Sequence, residues 1–364
     1  MIKILYDNII FDIQYAGGIS KIWCNLISRI PLSFNINYVE SAEPKNIFRK
    51  KIKLDPEHLI YEENRIVKYK QYKKVMNNDC DIYHSSYFRP LKQKNKSKVV
   101  VTVHDFMYEK YGTFLAKKNH LFLKNRSIDQ ADAIICVSNH TKKDLLSYYP
   151  RIDEGIVHVV YNGVDDEFRP VQKMGLIKIN NLEIKREKYL LYVGNRGYCK
   201  NFDFVLKLMK TKIVNDLGLV LICVGGGGFN KKELNYLSKN KLEHKVHLLD
   251  KVEASDLNDL YNHAFSLLFP SIYEGFGIPV LEAMKAGCPV WSTNSSSVSE
   301  VIGNDYPFMF SPTNWNEAYE SFVNLLDPKL RAASIELGYE NAAKFSWDKC
   351  ADETFNIYEL LMKK

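Results

Sequence analysis

Short apolar runs rich in β-branched and aromatic residues alternate along the chain with longer amphipathic stretches, the pattern of parallel strands separated by covering helices. In the first half these runs predict buried strands over residues 2–6, 82–84, 99–103, 133–137 and 157–161. The turn residues Asn162-Gly163-Val164-Asp165 follow the last run, and Phe168-Arg169-Pro170 comes next, which predicts a domain boundary at 168. The alternation then restarts, with strands expected over 189–193, 219–224, 246–249, 266–269, 289–292 and 308–310. The expected class is α/β, with two Rossmann-like doubly wound domains, 1–168 and 169–345. Ligands of such sheets bind at the carboxyl ends of the strands, so two facing sheets would share a central cleft.

Composition narrows the class. The 364 residues are 46% hydrophobic and 26% charged, as in an ordinary globular chain of about two domains. No window approaches the roughly 18 uninterrupted apolar residues of a membrane span, and MIKILYDNII lacks the marks of a signal peptide. The seven cysteines are odd in number and show no metal-ligand spacing, which fits reduced thiols and a cytoplasmic location. The net charge of +7 is uneven: residues 1–170 hold 27 Lys and Arg against 20 Asp and Glu, and the remainder 23 against 23. Much of the excess lies in 48–53, in the tyrosine-interleaved 68–74 and in 92–98. A solvated face explains this as well as attraction to an anionic surface does. No recognition motif accompanies the charge, so nucleic acid is not expected as a partner.

The chemistry concentrates in residues 269–287. A strand ends at Phe269, the loop Pro270-Ser271-Ile272-Tyr273-Glu274-Gly275-Phe276-Gly277 follows, Pro279 suits the first helical position and Gly287 suits a C-terminal cap. Backbone N–H groups at such a helix start can hold a phosphate, and glycines 275 and 277 permit close approach. Glu274 is expected in the loop and Glu282 in the first helical turn. A carboxylate suits a vicinal diol, although a helix dipole and a solvated loop would account for the two acids equally well. With the flanking Pro-Ser and Gly-Phe-Gly, however, the segment resembles the E-x7-E signature of retaining glycosyltransferases with the GT-B fold, and in particular glycosyltransferase family 4. That resemblance implies that Glu274 contacts the donor sugar, that Glu282 binds the ribose, and that the backbone of Gly275, Phe276, Gly277, Ile278, Pro279 and Val280 meets sugar hydroxyls and the distal phosphate.

Other segments resemble the same family. Gly194-Asn195-Arg196-Gly197-Tyr198-Cys199-Lys200 looks like its diphosphate clamp, which implies that Gly194, Arg196 and Lys200 stabilise the departing nucleotide; Asn195 here separates the glycine from the arginine. Gly17-Gly18-Ile19-Ser20 resembles the loop bordering the donor phosphates, and its spacing from the first strand is too long for a dinucleotide fingerprint. His104 ends the strand 99–103 and matches the family histidine that reaches the donor hexose. Ser138 reads as a helix N-cap, and Gly225 to Gly228 as a permissive turn shaping a nucleotide pocket. Asp250 stands where the family commonly has glycine, in the segment that holds the base. Asp79-Cys80-Asp81 looks like a metal-binding pair but precedes its strand, so no metal or other cofactor is expected. Phe345-Ser346-Trp347 resembles the start of a terminal helix, which would return 346–364 to the first domain.

The resemblance therefore implies transfer of a hexose from a GDP- or UDP-linked sugar, with retention, to a hydroxyl of a cell-surface glycan or polyprenyl-diphosphate-linked precursor, with a peripheral membrane association suggested by the basic first domain. Three rival readings stay open: a nucleotide-sugar epimerase of the same fold, a phosphorylase, for which no pyridoxal phosphate lysine is identified, and a non-catalytic sugar-binding scaffold.

Overall fold

A computed structural model describes residues 1–62, 80–94, 96–112, 114–172, 175–180 and 182–363. The basic stretch 68–74 and Asp79 lie outside them. The chain forms two compact units, Met1–Gly163 with Ser346–Lys364, and Val164–Phe345.

In the first unit, seven strands form one parallel sheet: β1 (Ile2–Asp7), β2 (Phe34–Ser41), β3 (Leu59–Glu62), β4 (Ile82–Ser85), β5 (Lys98–Val103), β6 (Ala133–Cys136) and β7 (Val157–Val159). Their order is β3-β2-β1-β4-β5-β6-β7, with Ile4 paired to Ile36 on one side and to Ile82 on the other. The chain order thus reverses between β1 and β4, where loops diverge and leave room for a ligand. The helix Trp347–Lys363 packs on this sheet: Tyr358 Oη lies 2.6 Å from His84 Nδ1 and 3.0 Å from Tyr6 Oη. All three side chains are buried, so their polar atoms must satisfy one another.

The second unit has six parallel strands in the order β12-β11-β10-β13-β14-β15: β10 (Tyr189–Val193), β11 (Val220–Val224), β12 (Val246–Leu249), β13 (Ser266–Phe269), β14 (Val290–Thr293) and β15 (Met309–Phe310). β10 and β13 read as unbroken apolar runs because helices cover both faces of the sheet; Leu190, Leu191, Leu267 and Leu268 are inaccessible to solvent. Each such side chain contributes about 1.5–3 kcal/mol by leaving water. Ahead of this sheet, β8 (Leu176–Ile179) and β9 (Leu182–Lys185) form an antiparallel hairpin. Its inward residues Ile177, Ile179 and Ile184 are buried, and Lys178, Glu183 and Lys185 face solvent.

The division between units falls at Gly163, ahead of the expected 168. Phe168 packs edge-on against Tyr261, and Arg169 N–H donates to Asn258 Oδ1 at 3.0 Å, so 164–168 belong with the second unit. Gly163 itself touches the returning chain: a Cβ there would lie 2.2 Å from the Trp347 nitrogen and 2.4 Å from the Ser346 carbonyl carbon.

Candidate active site

The order of the second sheet also reverses once, between β10 and β13, and the loops leaving those two strands carry the signature residues. They are tied together directly, since Ile272 N–H donates to the Cys199 carbonyl at 2.7 Å. That bond sets Lys200, next to Cys199, beside Glu274, two residues beyond Ile272. Lys200 Nζ lies 2.5 and 2.7 Å from the two Glu274 carboxylate oxygens and 5.8 Å from the centre of the Phe269 ring. Both side chains are largely buried, which strengthens the ion pair relative to one in water. One point on the sheet edge therefore presents both a hydroxyl-accepting carboxylate and an ammonium.

The helix that follows runs from Ile278 to Ala286, with Gly277 as N-cap and Gly287 as C-cap in the left-handed region at φ 78°. Two expectations are corrected here. Pro279 is the second helical residue, and Glu282 is the fifth, beyond the first turn. The helix dipole is strongest in the first turn and accounts poorly for an acid at that depth. Glu282 is buried and accepts a hydrogen bond from Tyr261 Oη at 3.1 Å; burial and then this carboxylate push the Tyr261 hydroxyl pKa well above its ordinary value. At the helix start, Val280 N–H donates to the Gly277 carbonyl at 3.0 Å, and Pro279 has no N–H to offer a ligand.

Arg196 is held by the turn after β11 and by Glu233. Its Nη1 donates to the Gly225 carbonyl at 3.0 Å, its Nη2 to the carbonyls of Gly227 and Gly228 at 2.7 and 2.8 Å, and its Nε to Glu233 at 3.1 Å. Glu233 also closes a capping box with Asn230 at the start of the helix Lys231–Lys239. The guanidinium thus shapes the Gly225–Gly228 turn, in which Gly225, Gly226 and Gly227 all have φ near +70°. A side chain at Gly226 would meet the Gly194 carbonyl oxygen at 2.8 Å, so the turn after β11 and the loop after β10 are in contact.

The segment after β14 was not anticipated as part of this site. Thr293, Ser295, Ser296 and Ser297 all hydrogen-bond the backbone of residues 271–276. A polar run, Thr293-Asn294-Ser295-Ser296-Ser297, at the carboxyl end of an expected strand was the available signal.

In the first domain, His104 follows β5. Its Nδ1 is buried with no hydrogen-bond partner among the described residues. Burial, and then the Lys124 cation, lower its pKa to about 3. Lys124 is itself inaccessible, donates to the Asp105 carbonyl at 2.8 Å, pairs with Glu109 at 2.6 Å and stands 3.6 Å above the Phe106 ring. Sequence reasoning missed this buried lysine, which fixes the turn after His104. Gly17 caps the helix Gly18–Ile27 in extended conformation, and the Gln14 side chain accepts from Ser20 N–H at 3.3 Å at the helix start. Ser138 is an N-cap, accepting from Thr141 N–H at 3.0 Å. Asp81 accepts from the Lys3 amide at 2.8 Å. Among the described residues, no three His, Cys, Asp or Glu side chains are grouped to hold a metal ion.

The sequence and the fold both match known proteins. Residues 176–341 match the family model for glycosyl transferases group 1, and residues 41–168 match that of Glycosyltransferase Family 4. The chain belongs to glycosyltransferase family 4. This glycosyltransferase is 26% identical over 287 residues to O-antigen chain mannosyltransferase B of Escherichia coli, an alignment covering 77% of the chain and 74% of that protein. Its fold matches sucrose-phosphate synthase from Thermosynechococcus elongatus at a TM-score of 0.74 and 16% identity, over 100% of both chains. It also matches Anabaena HepE, in complex with UDP and glucose, at 0.73 and 14% identity, over 99% of this chain and 100% of that one. Its two Rossmann-like sheets are those of the GT-B fold.

Proposed function

We propose that this glycosyltransferase moves a hexose from a GDP- or UDP-linked donor to a hydroxyl of a cell-surface glycan or polyprenyl-diphosphate-linked precursor, with retention at the anomeric carbon and without a metal. The observation that carries the reading is the Lys200–Glu274 pair at the switch point of the second sheet. Glu274 accepts hydrogen bonds from sugar hydroxyls, and Lys200 offers charge to the leaving diphosphate. Glu282, oriented by Tyr261, serves the ribose diol. Arg196 supports the nucleotide pocket through the Gly225–Gly228 turn rather than by direct contact with phosphate.

In the reaction, the bond between the anomeric carbon and the diphosphate oxygen breaks while the acceptor oxygen bonds the same face. The acceptor proton passes to the leaving diphosphate. Because charge moves onto that diphosphate, preorganised cations and amides lower the barrier more than a protein acid or base does. The relative from E. coli, an O-antigen chain mannosyltransferase, supports a polysaccharide acceptor, and the UDP complex of HepE supports a nucleotide donor.

The basic stretches of the first domain suit a peripheral place at the cytoplasmic membrane face. No helix among the described residues is long and apolar enough to cross a membrane. A thermal-shift panel of UDP, GDP and their glucose, galactose, N-acetylglucosamine and mannose conjugates tests the reading, because a ligand of the native state raises the melting temperature. One nucleotide class should stabilise the protein, and K200M should abolish that stabilisation. No shift with any member, or an undiminished shift in K200M, would contradict the assignment.

A further inference from the structure

Over residues 271–276, the loop that carries Glu274 lacks the regular bonds of sheet or helix, and side chains from the segment after β14 replace them. Thr293 Oγ1 donates to the Ser271 carbonyl at 2.5 Å, and Ser295 Oγ donates to that of Ile272 at 2.5 Å. Ser297 Oγ donates to the carbonyls of both Glu274 and Phe276, each at 2.9 Å. Ser296 bonds in both directions, since its Oγ accepts the Glu274 N–H at 2.9 Å and donates to the Ser295 carbonyl at 2.7 Å. The Glu274 peptide is thereby held at its N–H by one serine and at its C=O by the next.

Ser296 does this from an unfavourable backbone. Its φ is +55°, in the left-handed region that a residue with a Cβ adopts at a cost and that glycine adopts freely. Serine in place of glycine gives up backbone ease and gains one hydroxyl, and that hydroxyl sits on the amide of Glu274. The carboxylate of the same residue meets Lys200 on its other side.

We infer that Ser296 is a positioning residue for the transfer reaction: its hydroxyl fixes the Glu274 peptide, and so the direction in which the carboxylate meets the bound sugar. This rests on the role proposed for Glu274. Glycine at 296 relieves the backbone and removes the hydroxyl, which separates positioning from folding. The comparison uses S296G, S296A, E274Q and S296G/E274Q, assayed with whichever nucleotide-sugar in the panel gives the largest thermal shift. S296G should melt no lower than the parent protein and bind UDP or GDP within about twofold of it, while kcat falls about five- to twentyfold with KM little changed, the size of a misoriented contact. S296A should lose the same activity and also melt lower. The double variant should be no slower than E274Q alone, because a residue acting only through Glu274 has nothing left to position. Parental kcat in S296G with a slow E274Q overturns the inference alone, as do effects that multiply in the double variant. Parental kcat in E274Q overturns the role of Glu274, and this inference falls with it.

Discussion

Replacing Lys200 with methionine removes the cation from a carboxylate that the fold has largely withdrawn from water. Lys200 Nζ contacts both Glu274 oxygens at 2.5 and 2.7 Å, and the two side chains are 19% and 9% exposed. Breaking a fully buried pair from one side costs about 3–5 kcal/mol, because the remaining charge is left uncompensated. Residual exposure of the ammonium places this pair lower, at roughly 2–3 kcal/mol. For a domain of this size, roughly 2–4 °C of melting temperature accompanies each kcal/mol, so K200M should lower the second-domain transition by about 4–12 °C. E274Q keeps an oxygen acceptor and removes the charge, and should cost less. The double variant K200M/E274Q removes both charges and should recover at least about 1 kcal/mol relative to K200M. Differential scanning calorimetry of the four proteins at neutral pH gives the comparison. K200M melting within about 2 °C of the parent, or a double variant no more stable than K200M, would refute the view that this pair is coupled in a low-dielectric site.

Two other outcomes follow from the structure. His84 and His104 have pKa values lowered to about 3, chiefly by burial, so the unfolded chain binds protons that the folded first domain refuses; stability is complete above about 6.5 and is lost as pH falls toward 3, at roughly 1.4 kcal/mol per histidine by pH 5.5, and urea unfolding that does not weaken over that range would contradict it. G226A adds a Cβ 2.8 Å from the Gly194 carbonyl oxygen at a position with φ +75°, so it should destabilise the second domain by at least about 1–2 kcal/mol and weaken nucleotide binding, whereas G228A, whose Cβ meets nothing within 4 Å, should do neither.

The strands around the switch point were legible because their apolar runs are short, unbroken and closed by turn residues, as in Tyr189–Val193 and Ser266–Phe269. Phe34–Ser41 was not, since asparagines and a glutamate interrupt its apolar positions, and Leu59–Glu62 is a four-residue edge strand with little burial to leave a pattern. Glu274 was legible as part of a local signature. Its pairing with Lys200, 74 positions away, depends on the parallel neighbours β10 and β13 and on the Ile272 to Cys199 bond. The serines after β14 were hidden for the same reason: their reach to residues 271–276 follows from the register that sets Phe269 against Ser292. Arg196 was recognisable as a candidate, but its bonds to the glycine turn were not, because four glycine residues present carbonyl oxygens that no spacing rule reveals.

Retaining transfer of a sugar from a nucleotide through Glu274 and Lys200 is the proposed reaction. Proton NMR of a reaction containing the stabilising nucleotide-sugar and a glycan or polyprenyl-diphosphate-linked acceptor tests it most directly, by following the anomeric signal. A new glycoside with the anomeric configuration of the donor is expected, formed at least about tenfold more slowly by E274A and K200A, a barrier increase of about 1.4 kcal/mol. An inverted product, a donor epimerised without transfer, or unchanged rates in both variants would contradict it.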